Sequence, residues 1–364
     1  MQIKAAGIGA FGNMHRFFGK FLPKDGPIQY LHLFDTEKQT PETLAARTYW
    51  EKHGAKFIPK GDYKALTSKV NLVTICVGKH QEALEIYPAL IEAWKPPSGF
   101  LPTVIDFSTY SVKGAVAIHS FCQNHQVRWV NVPLTGGPVG AEEGTMVMMY
   151  GGPKQLYQTL LPILFEKVGT PFFAGEEVSS GTQVKIMNQC IVFGQLEGFA
   201  RALAMDAFAF RENSFGDSQQ IELFERLNQG AGGGNQWSRV FYRALKRDHW
   251  TKTGFMNAHA AVDAIYAADF AIDCKLSRFA VVCPLLTTAS TLGFAMKQFG
   301  MDSITPTLAK ALLSKYQNEL DVYLDAIGYF AEPNMKRALD LVIESLPEPV
   351  ARSVVIRLSF YIAE

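Results

Sequence analysis

The chain is organised around one stretch, Gly181-Thr182-Gln183-Val184-Lys185-Ile186-Met187-Asn188-Gln189, which opens a long apolar segment that runs to about Phe210. Strand-like and helix-like pieces alternate before it, and almost everything after it has a helical pattern. Lys185, Asn188 and Gln189 stand at i, i+3 and i+4, so their side chains share one face of the predicted helix. Taken alone, the pattern is more typical of an ordinary amphipathic helix with a solvated lysine.

The composition is that of a globular protein with two domains. The 364 residues are 48% hydrophobic and 19% charged, and the net charge of +1 gives no basis for binding nucleic acid or an anionic membrane. The five scattered cysteines contain no C-x-x-C pair, and the histidines show no metal-ligand spacing. We therefore expect a soluble, cytoplasmic protein with reduced thiols and without a metal site, signal peptide or membrane span.

A glycine-rich loop follows the first predicted strand, in a G-x-G-x-x-G pattern that leads into a predicted helix. Such glycines allow a tight turn, the approach of a pyrophosphate to the backbone, and close packing of a helix whose N-terminal dipole faces the phosphates. The motif alone is weak evidence, because glycine-rich turns are common. The candidate cofactor-binding residues of this loop are Gly7, Gly9, Ala10, Phe11, Gly12, Asn13 and Met14.

An acidic residue follows the second predicted strand at the distance expected for this motif. This residue, Asp35, would accept hydrogen bonds from both ribose hydroxyls and repel a 2′-phosphate, which favours NAD over NADP as the cofactor. Lys38 and Arg47 lie downstream and keep NADP open as an alternative. A plain turn residue is the other interpretation of Asp35.

The alternation of strands and helices continues as far as residue 173. Further strands are predicted at 56–59, 70–77, 103–107, 128–132, 146–150 and 170–173, with helices at 44–53, 82–94, 112–125 and 154–165. We predict an α/β fold in which an N-terminal Rossmann-type doubly wound sheet, residues 1–178, precedes an all-helical domain, residues 179–364. A long interdomain helix joins them, and Val184, Met187 and Ile191 form the apolar stripe expected to hold it in place.

A second glycine-rich segment, residues 133–145, contains a hydroxyl followed by two glycines. Thr135, Gly136 and Gly137 offer one O–H and two unobstructed backbone N–H groups, which together can bind a carboxylate. A glycine-rich surface turn is the alternative.

Four stretches together resemble the β-hydroxyacid dehydrogenase family, which includes 3-hydroxyisobutyrate dehydrogenase and tartronate semialdehyde reductase. Residues 7–14 are similar to its cofactor motif, and residues 106–109 to its D-x-S-T element. Residues 133–145 are similar to its substrate-binding P-V-S-G-G-x-x-G-A-x-x-G-T, and residues 181–188 to its catalytic G-x-x-x-K-x-x-N. The resemblance implies an NAD(P)-dependent hydroxyacid dehydrogenase with Lys185 and Asn188 as catalytic residues.

The resemblance also assigns binding residues, with some departures. It implies that Thr135, Gly136, Gly137 and Gln189 bind a small carboxylate-bearing substrate, although the family usually has serine at the first position and often asparagine at the last. It implies cofactor contacts at Val77, where the family has a Leu-Pro pair with the next residue, and at Thr109. Lys275 corresponds to a cofactor-side lysine of the family, although Ser277-Arg278 can equally occupy that K-D position.

The helical half is longer than is common in the family. It contains an insertion around residues 253–268 and further helices after Tyr316, whose amphipathic pattern predicts that they pack on something, with a second subunit as a candidate. We therefore expect a homodimer or homotetramer.

Other functions remain open for this scaffold. A non-catalytic NAD(P)-binding sensor or structural protein has little reason to keep Lys185, Asn188 and the Thr-Gly-Gly cluster together. An imine reductase usually replaces the lysine, and a 6-phosphogluconate dehydrogenase has a longer chain with a His-Asn pair at positions 188 and 189. The predicted protein is thus an enzyme whose particular hydroxy acid the sequence does not name.

Overall fold

The structure, a computed structural model, describes residues 3–35, 40–52, 54–78, 80–95, 101–212, 214–247, 250, 255–328 and 331–359. Within it the chain divides into two compact units. The first unit runs as far as Lys185, and the second extends from Ile186 to Val355.

The first unit is built on one mixed sheet. Its strands in the described residues are β1 (Ile3–Ile8), β2 (Ile28–Phe34), β3 (Lys56–Phe57), β4 (Leu72–Ile75), β5 (Thr103–Asp106), β6 (Arg128–Asn131), β7 (Leu134–Thr135), β8 (Val147–Gly151) and β9 (Thr170–Gly175). The first six are parallel in the order 3-2-1-4-5-6, which is the order of dinucleotide-binding doubly wound sheets. Strand β8 pairs antiparallel with β6 and β7 and parallel with β9. The predicted Rossmann-type sheet is confirmed.

Both faces of the central strands are buried, as in other parallel sheets. Every residue of β4 and β5 is buried, and alternate side chains enter opposite apolar layers. Leu72 joins the layer that contains Phe18 and Trp50, whereas Val73 joins the layer that contains Tyr87 and Trp129. These two layers explain why the strands are near-continuous apolar runs in the sequence.

Short and medium helices cover the sheet. They are α1 (Phe18–Phe21), α2 (Pro41–Glu51), α3 (Tyr63–Leu66), α4 (His80–Ala93), α5 (Val112–Asn124), α6 (Gly137–Glu143), α7 (Lys154–Leu160) and α8 (Glu166–Val168), with a π-helical turn at Leu161–Phe165. Side-chain caps set several of their starts: the Thr40 hydroxyl accepts from the Thr43 N–H, and the Ser111 hydroxyl from the Gly114 N–H.

The helix predicted directly after the glycine-rich loop is much shorter than expected. The chain forms turns through Met14, one 3-10 turn at His15–Phe17, and then only α1, which ends at Phe21. The His15 ring turns inward and bonds the Thr74 hydroxyl, and Pro23 and Gly26 form a tight turn just beyond α1. The loop is therefore followed by a compact turn rather than by a long helix with a strong N-terminal dipole.

The long helix α9 (Ser180–Phe210) contains the organising stretch, but its buried face differs from the predicted one. Ile186, Gln189 and Phe193 are each at most 3% exposed. Met187 and Ile191, expected to hold the helix in place, are 53% and 63% exposed. Polar residues with partners thus face inward, and part of the apolar stripe faces outward.

Helices make up the second unit beyond α9. They are α10 (Ser218–Gln229), α11 (Gln236–Arg247), α12 (Asn257–Asp273), α13 (Cys283–Phe299), α14 (Thr307–Ala311), α15 (Ser314–Ile327), α16 (Met335–Ser345) and α17 (Glu348–Ser359), with a π-helical turn at Arg278–Val282 before α13. The predicted helical half is confirmed in the described residues. The continuous helical segment Arg278–Phe299 is long and apolar enough to cross a membrane, yet 72% of its most apolar window is buried, as in a core helix.

The C-terminal extension packs on its own chain. Helix α16 lies against α12 and α13, and its Leu339, Val342 and Ile343 side chains are buried. The Lys336 Nζ lies 2.6 Å from Asp269 and 3.2 Å from Asp273, both on α12. The amphipathic face for which a second subunit was a candidate partner is therefore covered within the chain; Phe330 lies outside the described residues.

Gly181 is the glycine on which the start of α9 depends. A Cβ built there would lie 2.2 Å from the Met149 carbonyl oxygen and 3.0 Å from that of Asn131, both in sheet backbone that cannot move easily. We expect Gly181→Ala to lower the free energy of unfolding by about 1–3 kcal/mol, as overpacking of a tight site does. Urea unfolding measures this.

Gly232→Ala is the matched control, because a Cβ at that position meets nothing within 4 Å. Its unfolding should stay close to that of the wild type. Equal stability of the two variants would show that the contact at Gly181 can relax.

Candidate functional site

The glycine-rich loop lies directly on the end of strand β4. Gly9 has a φ of +70°, and a Cβ there would come within 2.1 Å of the Cys76 carbonyl oxygen. The Gly12 N–H bonds the Gly9 carbonyl at 3.1 Å and closes the turn. Only glycine meets both the left-handed φ and the close approach at Gly9, so the backbone of the loop is exposed over the carboxyl ends of β1 and β4.

Asp35 is joined to this loop. One carboxylate oxygen, Oδ2, accepts a hydrogen bond of 2.5 Å from the backbone N–H of Phe11. Phe11 lies between the second and third glycines of the motif. The ring N–H of Trp50 bonds the Ala10 carbonyl at 3.2 Å from the other side. A negative charge is therefore held at the end of β2, beside the loop. Arg47 stacks on the Phe57 ring at 4.3 Å, and Lys38 lies outside the described residues.

His15 packs beneath the loop as a neutral ring. It is fully buried, its Nε2 lies 3.1 Å from the Thr74 hydroxyl, and burial lowers its pKa to about 4. Its ring also meets Phe18 edge-on at 4.8 Å. Sequence reasoning missed this residue, whose only signal is a histidine three positions after the third glycine.

A buried carboxylate organises the next loop, at the end of β5. Asp106 accepts hydrogen bonds from the Tyr87 hydroxyl at 2.5 Å and the Tyr110 hydroxyl at 2.6 Å, and from the Ser108 N–H at 2.8 Å. Burial raises the pKa of the Asp106 carboxyl, and these hydrogen bonds oppose that rise. The Ser108 hydroxyl accepts from the Val77 N–H at 3.0 Å.

These bonds join two predicted cofactor contacts. The turn that contains Thr109 is tied through Ser108 to the loop that contains Val77, so both lie at the carboxyl ends of neighbouring strands, β4 and β5. The Thr109 side chain is half-buried. This edge of the sheet is where doubly wound folds bind ligands.

The Thr-Gly-Gly segment is part of the sheet rather than a free surface turn. Thr135 belongs to β7, paired antiparallel with β8 at Val147, and its side chain is half-buried. Gly136, which precedes α6, and Gly137, its first residue, both have positive φ, +122° and +63°. Two successive left-handed residues turn consecutive backbone N–H groups away from the regular strand direction, the type of backbone that binds anions.

The first turn of α9 is bonded to the same edge of the sheet. The Thr182 hydroxyl donates to the Asn131 Oδ1 at 2.6 Å, and the Asn131 Nδ2 donates to the carbonyls of Asp106 and Ser108 at 3.0 Å each. Lys185 follows one turn later and is only 7% exposed. The lysine is thus a buried residue on an anchored turn, not the solvated residue of the alternative interpretation.

Within the second unit, the other polar residues of this helix face have partners as well. The Asn188 Nδ2 donates to the Gln189 Oε1 at 3.1 Å, and the Gln189 Nε2 donates to the Asp263 Oδ2 at 2.5 Å. Asp263, on α12, is 7% exposed. Sequence reasoning missed it, because nothing local distinguishes this aspartate from others in the helical half.

Lys275 lies apart from this group. It is exposed in the turn after α12, with a φ of +55°. Twelve positions separate it from Asp263, about 18 Å along a helix, so these two residues do not share one cluster. Ser277 caps the following turn, accepting from the Ala280 N–H at 3.3 Å, and Arg278 lies over the Phe279 ring.

The residues of the first unit fit a dinucleotide. A Cβ is excluded at Gly9, and the Asp35 carboxylate at the end of β2 is bonded to the loop at Phe11, as in folds that bind a dinucleotide there. Among the described residues, no group of three or more His, Cys, Asp or Glu side chains is arranged to hold a metal ion.

Comparison with known proteins agrees with this geometry. Residues 12–182 match the family model described as the NAD binding domain of 6-phosphogluconate dehydrogenase. The first unit is therefore an NAD(P)-binding domain, and the cofactor class predicted from the glycine motif is confirmed.

Curated relatives extend the match. The chain is 29% identical over 160 residues to a probable 3-hydroxyisobutyrate dehydrogenase-like protein of Arabidopsis thaliana, covering 43% of this chain and 47% of that protein. It is 23% identical over 264 residues to an uncharacterized oxidoreductase of Synechocystis, covering 69% of this chain and 85% of the relative. The first match thus spans about half the length of that relative.

Solved structures show the same fold. A 3-hydroxyisobutyrate dehydrogenase from Salmonella typhimurium superposes with a TM-score of 0.68 at 16% identity, covering 85% of this chain and 99% of that one. The resemblance to the 3-hydroxyisobutyrate dehydrogenase-like oxidoreductases is confirmed, and the chain is related to them.

The neutral His15 gives folding a pH dependence. Its pKa is about 4 in the folded protein against 6.5 for an ordinary histidine, so between these values the unfolded chain binds a proton that the folded chain does not. We expect this group to cost about 3 kcal/mol of stability as the pH falls from 6.5 to 4. Urea unfolding of the wild type and of His15→Gln at both pH values measures the difference.

His125→Gln is the control, since His125 is exposed at the end of α5. The His15 variant should lose less stability on acidification than the wild type, and the His125 variant should follow the wild type. The same acid sensitivity in all three proteins would contradict the role of His15.

Proposed function

We propose that the protein is an NAD-dependent dehydrogenase of a small hydroxy acid, with Lys185 as general acid and base. The observation that carries the proposal is the 7% exposure of Lys185 on a helix turn that Thr182 and Asn131 bond to the ligand-binding edge of the sheet. A buried titratable group at the ligand-binding edge of a sheet is a candidate for a functional residue. The names of the curated relatives support an oxidoreductase.

Different residues bind the substrate, orient it and transfer its proton in the proposed reaction. The Thr135 hydroxyl and the backbone N–H groups of Gly136 and Gly137 bind the substrate carboxylate. The amides of Asn188 and Gln189 orient the substrate hydroxyl or the lysine. A bound dinucleotide supplies the hydride acceptor. Lys185 takes the proton of the substrate hydroxyl at Nζ during oxidation and returns it to the carbonyl oxygen during reduction.

The position of Asp35 supports NAD rather than NADP as the preferred cofactor. Its carboxylate bonds the Phe11 N–H and so stands beside the pyrophosphate loop, where it would repel a 2′-phosphate. A non-catalytic sensor on this scaffold, the alternative function, needs no buried lysine on an anchored turn, so the geometry favours the enzyme.

The first experiment is a screen of the wild type against small 2- and 3-hydroxy acids and semialdehydes, each with NAD and with NADP. Lys185→Met, which keeps the aliphatic volume of the buried side chain, should lower kcat at least ~10²-fold, because general acid–base catalysis contributes about 10²–10⁴-fold. Binding of NADH, followed by fluorescence, should stay unchanged.

Lys167→Met, on the exposed surface of α8, is the control and should keep wild-type rates. Turnover by Lys185→Met at wild-type rates would remove the lysine from the mechanism. Failure of the wild type to reduce NAD with any acid would favour the sensor, and higher activity with NADP would contradict the role of Asp35.

We also propose that the protein forms a homo-oligomer through the outer face of α9. The exposed apolar side chains Met187, Ile191, Met205 and Phe208 are spaced along one face of that helix, and Gly194 and Gly198 lie between them. A Cβ at either glycine meets nothing within 4 Å, so another backbone has room to approach. An exposed and largely apolar face of this kind, which only Arg201 interrupts, is typical of a protein interface.

Met205→Asp should shift the protein toward the monomer in light scattering, because it buries a charge in the proposed interface. Val322→Asp is the control. Val322 lies on α15 and is 68% exposed, close to the 71% exposure of Met205. The proposal fails if the wild type is monomeric or if both variants shift equally.

A further inference from the structure

Asp263 is a carboxylate in an otherwise apolar part of the second unit. It lies on α12 between Ala260 and Ala264, which are fully buried, and is itself 7% exposed. Its Oδ2 accepts a short hydrogen bond of 2.5 Å from the Nε2 of Gln189, which is 3% exposed. The two residues stand 74 positions apart, so the tertiary fold of the unit brings them together.

The chemistry of this pair determines which way two amides face. Because Oδ2 of Asp263 accepts this hydrogen bond, it selects the NH₂ side of the Gln189 amide and turns the Oε1 side away. That Oε1 accepts from the Nδ2 of Asn188 at 3.1 Å. The NH₂ side of Asn188 therefore faces Gln189, and its carbonyl oxygen lies on the opposite side of the amide.

We infer that Asp263 is a positioning residue for the reaction: through Gln189 it fixes the amide of Asn188 with the carbonyl oxygen directed away from Gln189. The inference rests on the proposed function, in which Asn188 orients the lysine or the substrate hydroxyl. The Nζ–H groups of a lysine only donate hydrogen bonds to an amide oxygen, so Asn188 can orient Lys185 only through the carbonyl side of its amide. Without Asp263 the two amides can flip together, and Asn188 then presents donors to donors.

Substitutions at Asp263 distinguish an effect on the direction of the Asn188 amide from an effect on side-chain packing. Asp263→Leu removes the acceptor and should lower kcat about 10- to 100-fold, the range found when outer-shell partners of a site are lost, with a much smaller change in KM. Asp263→Asn keeps an acceptor oxygen that can face the Gln189 Nε2, and should retain most of the activity.

Gln189→Glu gives the most specific comparison. It places two carboxylates side by side and should be strongly impaired. When Gln189→Glu is combined with Asp263→Asn, the new carboxylate at position 189 accepts both from the amide introduced at position 263 and from Asn188, so Asn188 regains its direction. The double variant should recover at least tenfold in kcat over Gln189→Glu alone, a tenfold change being about 1.4 kcal/mol.

Asp269 provides the matched control on the same helix. It is 5% exposed and bonded to Lys336 at 2.6 Å, so Asp269→Asn also perturbs a buried acid of α12. This variant should lose stability in urea unfolding while kcat stays within about twofold of the wild type. A loss of kcat in Asp269→Asn equal to that in Asp263→Leu would show that Asp263 only stabilises the fold and would overturn the inference.

A second measurement does not depend on turnover. The side-chain NH₂ resonances of Asn188, assigned by comparison with Asn188→Ala, should shift in Asp263→Leu and return toward their wild-type positions in the double variant. Unchanged Asn188 resonances in Asp263→Leu, or a double variant no better than Gln189→Glu, would also overturn the inference. An inactive wild type with the expected resonance shifts would instead reject the proposed function and keep the hydrogen-bond chain.

Discussion

The Asn131 side chain joins the parts of the first unit that the candidate site depends on. Its Nδ2 donates to two carbonyls of the β5 turn, and its Oδ1 accepts from Thr182 in the first turn of α9. A fully buried amide satisfied on both sides has one orientation, because a flip would oppose acceptor to acceptor. The ligand-binding edge of the sheet and the start of the long helix are therefore held by one side chain. The close approach of Gly181 to the β8 backbone strengthens the same junction.

Much of the first unit was predictable because its signals are local. Apolar runs such as β4 and β5 are typical of buried parallel strands, and the glycine spacing after β1 reflects a backbone constraint that only a few residue types meet. The helix predicted after the loop is present but short for a tertiary reason: His15 bonds Thr74, 59 positions away, and the chain turns to place it. A local pattern does not contain such a partner.

The candidate site was predictable as a set of residues but not as a set of contacts. The spacing of Lys185, Asn188 and Gln189 predicts a shared helix face, and the structure places the buried Lys185 and Gln189 on it. The predicted apolar stripe was wrong for Met187 and Ile191, which are exposed, because hydrophobicity alone does not determine which face of a helix is buried. Buried polar groups with partners can displace apolar ones from that face. Asp106 was part of a recognised motif, but its Tyr87 partner was not foreseen, and Asp263 was not recognised at all, because their donors are distant in sequence.

The Lys336 bridge to α12 gives the C-terminal extension a place in the architecture. One ammonium group holds Asp269 and Asp273 on successive turns of the helix that also bears Asp263. The C-terminal extension thus supports α12 through ion pairs on its outer side. Support of this kind for α12 compensates for part of the stability that substitutions near the Gln189–Asp263 pair would remove.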